Sequence, residues 1–463
     1  MLNYKEYLRY NQNMKINEVY TTEIEKITNL GYGLTKIDGF VVFVENSCPG
    51  DKVKIKITKV NKNFANAQIL EIIEASQHRI KPFCPLQKVC GACQLQFIDY
   101  TYQLEIKKQI VEETIKTIAG LDIEIKNTIP SPQNRNYRHK IQYPISQTKN
   151  SKRILAGYYK PATHEIVNIK YCPIQPEICD KIIEFIRTKA LDFKISGFNE
   201  KKHSGDLRHV VLRCSKLNGK ILVVLVVNAT KTFDKLNNFA KCIFNEFEDI
   251  AGICINYNPK RTNVILGKKT ECLYGQNYIE EKLLDKTFKI GANTFFQINP
   301  ESAENIFQYV KDFIKKTYTK PLILDAYAGI STFGICVCNE AQHVVTVEEN
   351  SESTENAKET LKINKIKNVE IHNSDAAEFF KKEKRIFDIS IIDPPRKGCT
   401  QESLNEVLRL TKGHIIYVSC NPATLARDLK YLTEIKGCRV ESIQPFDMFC
   451  HTYHVENVAI IKV

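Results

Sequence analysis

From about residue 288 to the C-terminus, short apolar runs alternate with helix-like stretches. The runs are LILDA (322–326), HVVTVEE (343–349), NVEIHN (368–373), FDISIID (387–393) and HIIYVSC (414–420). Strands that are apolar along their whole length have to be covered on both faces, and crossover helices between parallel strands do this. The rhythm therefore predicts an α/β fold with a parallel, doubly wound sheet. Two more strand-like runs, 439–446 and 454–462, can close it with an antiparallel edge.

Ligands of such a sheet bind beyond the carboxyl ends of its strands, and acids stand there in this sequence. LILDAYAG brings Asp325 to the end of its strand, and Gly329 provides a turn where backbone can touch a ligand. About twenty residues further on, the second strand ends on Glu348, a spacing suited to hydrogen bonding of ribose hydroxyls. The third strand leads to Asp375 and the fourth to Asp393-Pro394-Pro395-Arg396. The turn is not GxGxxG, so the dinucleotide fingerprint is not met. One acidic strand end is commonplace, whereas four in register predict a nucleoside-containing cofactor.

The fifth strand delivers YVSCNPATLARDL (417–429). Cys420 stands where the strand ends, between polar Ser419 and Asn421, which disfavours a core cysteine. A helix is expected to start near Ala423 or Thr424, and its N-terminal dipole would favour thiolate over thiol. Further on, DMFCHTYHVENV (447–458) gathers Asp447, His451, His454 and Glu456. Two histidines and a glutamate could equally suggest metal ligation, and a strand-edge carboxylate is often just exposed. A cysteine nucleophile with a base accounts better for the pairing.

The 463 residues carry a net charge of +13, which suits a polyanionic partner and nucleic acid first, without distinguishing RNA from DNA. The longest apolar run, ILVVLVVN (221–228), is far short of the roughly 20 residues of a membrane span and reads as a buried strand. The N-terminal MLNYKEYLRYNQN lacks the apolar core of a secretory signal, so a cytoplasmic location is expected. In that compartment the sixteen cysteines are not expected to form disulfides. Most, such as Cys242, Cys254, Cys336 and Cys338, lie in apolar runs and read as core. Cys84, Cys90 and Cys93 instead form C-x5-C-x2-C in CPLQKVCGACQLQ. Soft ligands this close suit zinc or an iron–sulfur cluster, with Cys172 as the expected fourth ligand and Cys179 as its competitor.

Upstream, residues 14–75 show short alternating strands. In DKVKIKI (51–57), Val53, Ile55 and Ile57 share one face and Lys52, Lys54 and Lys56 the other, as in a small barrel of the OB type. A helix is expected from Tyr100 to Ala119, ended by Gly120. Residues 125–285 read as mixed α+β, with strand-like runs at 137–145, 208–214 and 221–228.

SCNPAT, DPPRKG, DAYAGISTFG and DMFCHTYHVE resemble, in order and spacing, motifs of the RNA uracil-C5-methyltransferases. The likeness extends to NTFFQIN (293–299), YRHKIQYP (137–144) and GDLRHVVLR (205–213), and the N-terminal barrel resembles a TRAM domain. The resemblance covers nearly the whole chain. It implies an RNA-binding TRAM barrel at 14–75, a central α+β RNA-binding domain with an iron–sulfur site at 76–285, and a Rossmann-like class I methyltransferase domain at 286–463, with helix 100–119 packing on the last. It further implies Cys420 as nucleophile, Glu456 as base, and Gln297, Tyr327, Glu348, Asp375 and Asp393 as S-adenosylmethionine-binding residues. Asp393 would also help to fix the uracil, and Thr332 stands at a turn that could contribute. Cys84, Cys90, Cys93 and Cys172 would hold a [4Fe–4S] cluster of structural role. Cys450 departs from the proline usual after DMF in the family.

The cluster favours the branch acting on 23S ribosomal RNA over the branch methylating the T-loop uridine of transfer RNA, and a monomer is expected. A non-catalytic RNA-binding protein would not need both Cys420 and Glu456. An iron–sulfur redox protein would leave the nucleoside site without a role.

Overall fold

Alternation of Lys with Val and Ile builds the first sheet of this computed structural model, which describes residues 14–463. The stretch MLNYKEYLRYNQN, read above for the absence of a secretory core, lies outside the described residues. In Lys52–Val60, Val53, Ile55 and Ile57 are fully buried while Lys52 and Lys54 face out. Each such burial contributes about 1.5–3 kcal/mol. Six strands make the sheet, in the order Val19–Glu23, Lys52–Val60, Phe64–Glu74, Phe40–Val44, Gly33–Ile37 and Lys26–Ile27.

The middle of the chain forms a second six-stranded sheet, with Ile221–Val227 in its interior between Ile250–Tyr257 and Leu207–Cys214. Every residue of Ile221–Val227 is buried, because both faces are covered. Ile221, Val223, Leu225 and Val227 pack toward the helices Glu177–Asp192 and Asp234–Glu246. Leu222, Val224 and Val226 enter a different core, shared with Phe288, Phe307 and Ile323 of the C-terminal part. A strand covered on both faces needs an unbroken apolar run, and ILVVLVV supplies it.

The C-terminal sheet has seven strands in the order Val369–Asn373, His343–Glu348, Leu322–Ala326, Phe387–Ile392, Thr411–Ser419, Glu456–Lys462 and Arg439–Phe446. The first five are parallel, and Glu456–Lys462 runs antiparallel to both its neighbours. The strand order reverses at Leu322–Ala326, where open sheets place their ligand crevice. Helix Tyr100–Thr114 continues as a π turn to Ala119 and stops at Gly120, whose φ of 70° suits glycine. Val111, Ile115 and Ala119 pack with Leu425 and Leu429 against this sheet. Among the described residues no helix is long and apolar enough to cross a membrane.

One contact fastens that helix to the segment preceding the last strand. Lys107 and Asp447 have no exposed side-chain surface, and Lys107 Nζ donates to Asp447 Oδ1 and, at 3.0 Å, to Phe449 O. Tyr100 donates its hydroxyl to Asp447 Oδ2 at 2.7 Å. Removing one partner leaves the other charge stranded in the interior. Asp447→Ala is expected to cost about 3–5 kcal/mol in denaturant unfolding. Lys107→Met combined with Asp447→Leu should recover most of that loss; a double variant as unstable as the single one would show that packing, not the stranded charge, sets the cost.

Candidate functional site

The carboxyl edge of the seven-stranded sheet brings together residues from four strand ends. Ser419 pairs with Asn457 in the antiparallel ladder, so the same register sets Cys420 opposite Glu456. Asp393 follows Phe387–Ile392, the neighbouring strand. Its loop is stitched to the cysteine turn: Asn421 Nδ2 and Thr424 Oγ1 donate to Arg396 O at 3.1 and 3.3 Å. The helix after Cys420 starts at Pro422, slightly earlier than Ala423 or Thr424. Asn421 caps it by accepting from Ala423 N, and a proline in the first turn needs no N–H partner.

Electrostatics here differ from what the helix dipole alone predicts. Cys420 is half-buried, and its thiol is pushed up to about 11 by burial and by the facing Glu456 and Asp393, while Arg396 pulls it down. The helix terminus therefore does not make a resting thiolate. Burial also raises the Glu456 and Asp393 carboxyls; Asp393 raises Glu456 further, and Arg396 opposes this. A thiol and two carboxyls with raised affinity for protons, beside one exposed arginine, can exchange protons with a substrate that enters. Arg396 was visible in the DPPR sequence without a role. Its part becomes evident only when the chain places it beside Cys420.

Asp447 and His451 do not join this group. His451 Nε2 donates to Asn134 O at 2.8 Å, its Nδ1 accepts from Gln103 Nε2, and burial lowers it to about 4, so it is a neutral structural imidazole. His454 is likewise lowered to about 4, by burial and then by Arg396, which leaves a neutral ring beside the site.

Across the strand-order reversal lies the second half of the site. Both oxygens of Glu348 are held by backbone, accepting from Gly329 N at 3.0 Å and Asn350 N at 2.9 Å, which leaves lone pairs for further donors. Gly329, Tyr327 and Ser331 have φ of 57°, 60° and 58°, a run of left-handed backbone that turns the strand end sharply. Asp325 is fully buried; its Oδ2 accepts from Gly334 N at 2.8 Å, while Oδ1 has no partner, and burial raises its carboxyl to about 8. Asp375 is exposed and caps the helix Ala376–Lys382. Thr332 opens the short helix Thr332–Val337 after this turn. Gln297 lines a small cavity with Lys140, Arg213 and Phe296, and precedes Asn299, the cap of helix Pro300–Thr317. An orphaned buried acceptor, a left-handed turn and a backbone-held carboxylate fit a nucleoside with an amino-acid tail.

Cys84, Cys90, Cys93 and Cys172 line a single cavity with Gln96 and Tyr171. Burial raises the thiols of Cys93 and Cys172 to about 12. Cys179 lies elsewhere, its Sγ 2.9 Å from Cys214 Sγ. Among the described residues no three His, Cys, Asp or Glu side chains converge on one point as a single ion would require.

Alkylation of Cys420 followed by peptide mass spectrometry tests the raised thiol. Thiolate is the reactive form, so the rate should climb about tenfold per pH unit from 7 to 9 without levelling. Arg396→Met should slow it further at each pH. A plateau below pH 8 would show a thiol that is not raised.

A model of the tRNA (Uracil-5-)-methyltransferase family matches residues 99–462, and a TRAM domain model matches residues 14–70. An uncharacterized RNA methyltransferase of Clostridium acetobutylicum is 39% identical over 97% of this chain and 98% of its own length. One from Halalkalibacterium halodurans is 36% identical over 96% and 97%. Among solved structures, the Pyrococcus abyssi tRNA (uracil-54, C5)-methyltransferase in complex with S-adenosyl-L-homocysteine has a TM-score of 0.75 and 29% identity, covering 96% of this chain and 100% of that one.

Proposed function

Since this chain belongs to the tRNA (uracil-5-)-methyltransferase family, we propose that it methylates C5 of a uridine in 23S ribosomal RNA through a covalent adduct of Cys420. The observation that carries the mechanism is the antiparallel register that sets Cys420 opposite Glu456, with Asp393 and Arg396 beside them. Uracil C5 is too weak a nucleophile to attack a methyl sulfonium unaided. Cys420 first gives up its proton to solvent, helped by the Arg396 charge, and its thiolate then adds to C6, which moves electron density onto C5. S-adenosylmethionine supplies the methyl group there. Glu456 then takes the C5 proton, and the C6–S bond breaks to release Cys420. A raised Glu456 carboxyl makes it an able proton acceptor once ionised, and Arg396 favours both the ionised carboxyl and the thiolate. Since stacking shields C5 and C6, the target base has to be unpaired or flipped out.

Gln297, Tyr327, Glu348, Asp375 and Asp393 would hold the donor, with Asp325 and Gly329 shaping the turn beside Glu348. Glu348 accepts from ribose hydroxyls, and Asp393 stands at the boundary of donor and base. Cys84, Cys90, Cys93 and Cys172, which line one cavity and supply four soft ligands, would hold a [4Fe–4S] cluster. It ties the central part together without entering the chemistry. Cys179, which lies against Cys214 and does not line that cavity, suits the fourth position less well than Cys172.

The likeness to the Pyrococcus abyssi enzyme favours a second reading, a transfer RNA T-loop uridine. Incubation with labelled donor and separated ribosomal and transfer RNA, followed by mapping of the nucleotide, decides between them. Cys420→Ala should abolish turnover while donor binding survives. Glu456→Gln should lower turnover about 10²–10⁴-fold and accumulate a covalent protein–RNA adduct; absence of any adduct would count against it as the base. Anaerobically purified protein should contain iron and labile sulfide, which Cys172→Ser diminishes and Cys179→Ser does not.

A further inference from the structure

Loop 258–269, which leads from strand Ile250–Tyr257 into the first residue of strand Lys269–Gly275, has the sequence NPKRTNVILGKK, with four cations and no carboxylate. Residues 259–264 are all exposed, including Val264 at 62%. Such a loop is ordinarily a mobile solvated connection. Here its backbone is tied inward. Arg208, 5% exposed and stacked 4.6 Å over Phe198, donates to Asn258 O, to Lys260 O at 2.7 Å and to Thr262 O at 3.4 Å. Asn258 Nδ2 donates to Val264 O and Ile265 O at 2.8 and 3.0 Å, and His203 Nε2 to Pro259 O at 2.8 Å.

The loop is also joined to the catalytic crevice. Asn256 grips Gly267, donating to its O at 2.9 Å and accepting from its N at 2.6 Å, and reaches Asn293 Oδ1 at 3.3 Å. Asn293 in turn donates to Glu352 Oε2 at 2.8 Å, two residues past the Asn350 that holds Glu348. Asn293 begins the segment of Phe295, which is 58% exposed, and of Gln297.

We propose that loop 258–269, fixed by Arg208, is a contact surface for single-stranded RNA, its Lys260 and Arg261 pairing with backbone phosphates beside the target nucleotide. Through its two terminal nitrogens the buried Arg208 guanidinium ties three loop carbonyls, which fixes the backbone that carries Lys260 and Arg261 and suits regularly spaced phosphates better than a flexible loop would. The assignment to RNA rests on the reading of this chain as an RNA methyltransferase.

Full-length enzyme and oligouridylate of about 16 nucleotides test it. Lys260→Ala with Arg261→Ala should weaken binding about tenfold at low salt and cut the slope of log Kd against log salt by roughly 1.4, the share of two phosphates on a single strand. Arg208→Met keeps every loop charge yet should also lower both affinity and slope, with Arg208→Lys between it and wild type. Affinity for S-adenosylmethionine should stay unchanged in all three, which separates loss of contact from misfolding. Wild-type affinity and slope in the double variant would overturn the contact; wild-type affinity in Arg208→Met would overturn the bracing. Methyl transfer by the unmodified enzyme tests the underlying reading separately, because oligouridylate binding does not depend on turnover.

Discussion

The buried pair of Lys107 and Asp447 determines how three parts of the molecule meet. Two charges without exposed surface are tolerated only where each completes the other's hydrogen bonds, and here Tyr100, Phe449 and the Tyr100–Ser131 contact do so. The same short segment is gripped from other sides. Tyr137 donates to Cys450 O, Leu95 N to His451 O, Ser302 Oγ to Asp447 O and Asn299 Nδ2 to Met448 O. Glu456 follows a few residues later. Glu456 is thus set in place by groups from the central part, the long helix and the sheet together, and its position depends on the assembly of all three.

The site raises the proton affinity of all three of its acids. Burial disfavours charge on Cys420, Glu456 and Asp393 alike, and each ionised group disfavours the next. A single exposed arginine partly compensates. Entry of a neutral, planar base would remove more water from around these groups and strengthen their influence on one another.

How legible this was in sequence depended on the range of the interaction. The five parallel strands announced themselves because coverage of both faces demands unbroken apolar runs, and the lysine-alternating strand because only one of its faces is covered. The four acids at strand ends followed from period and position alone. The pair Lys107–Asp447 lies 340 residues apart and leaves no local pattern. The helix after Cys420 is local to it in sequence, whereas the carboxyls that oppose its ionisation come from neighbouring strands and leave no local pattern. Cys172 and Cys179 could not be separated by spacing; the contact of Cys179 with Cys214 separates them in space.

Strand Ile221–Val227 has a further consequence, for the order in which the chain is made. Leu222, Val224 and Val226 share their core with Phe288 and Phe307, residues synthesised more than sixty positions later. While the chain emerges N-terminus first, that face of the central sheet has no cover. The nascent protein must therefore shield an apolar surface, by a chaperone or by delayed closure of the sheet, until its own later residues arrive. Translational pauses between 230 and 310 would lengthen that exposure.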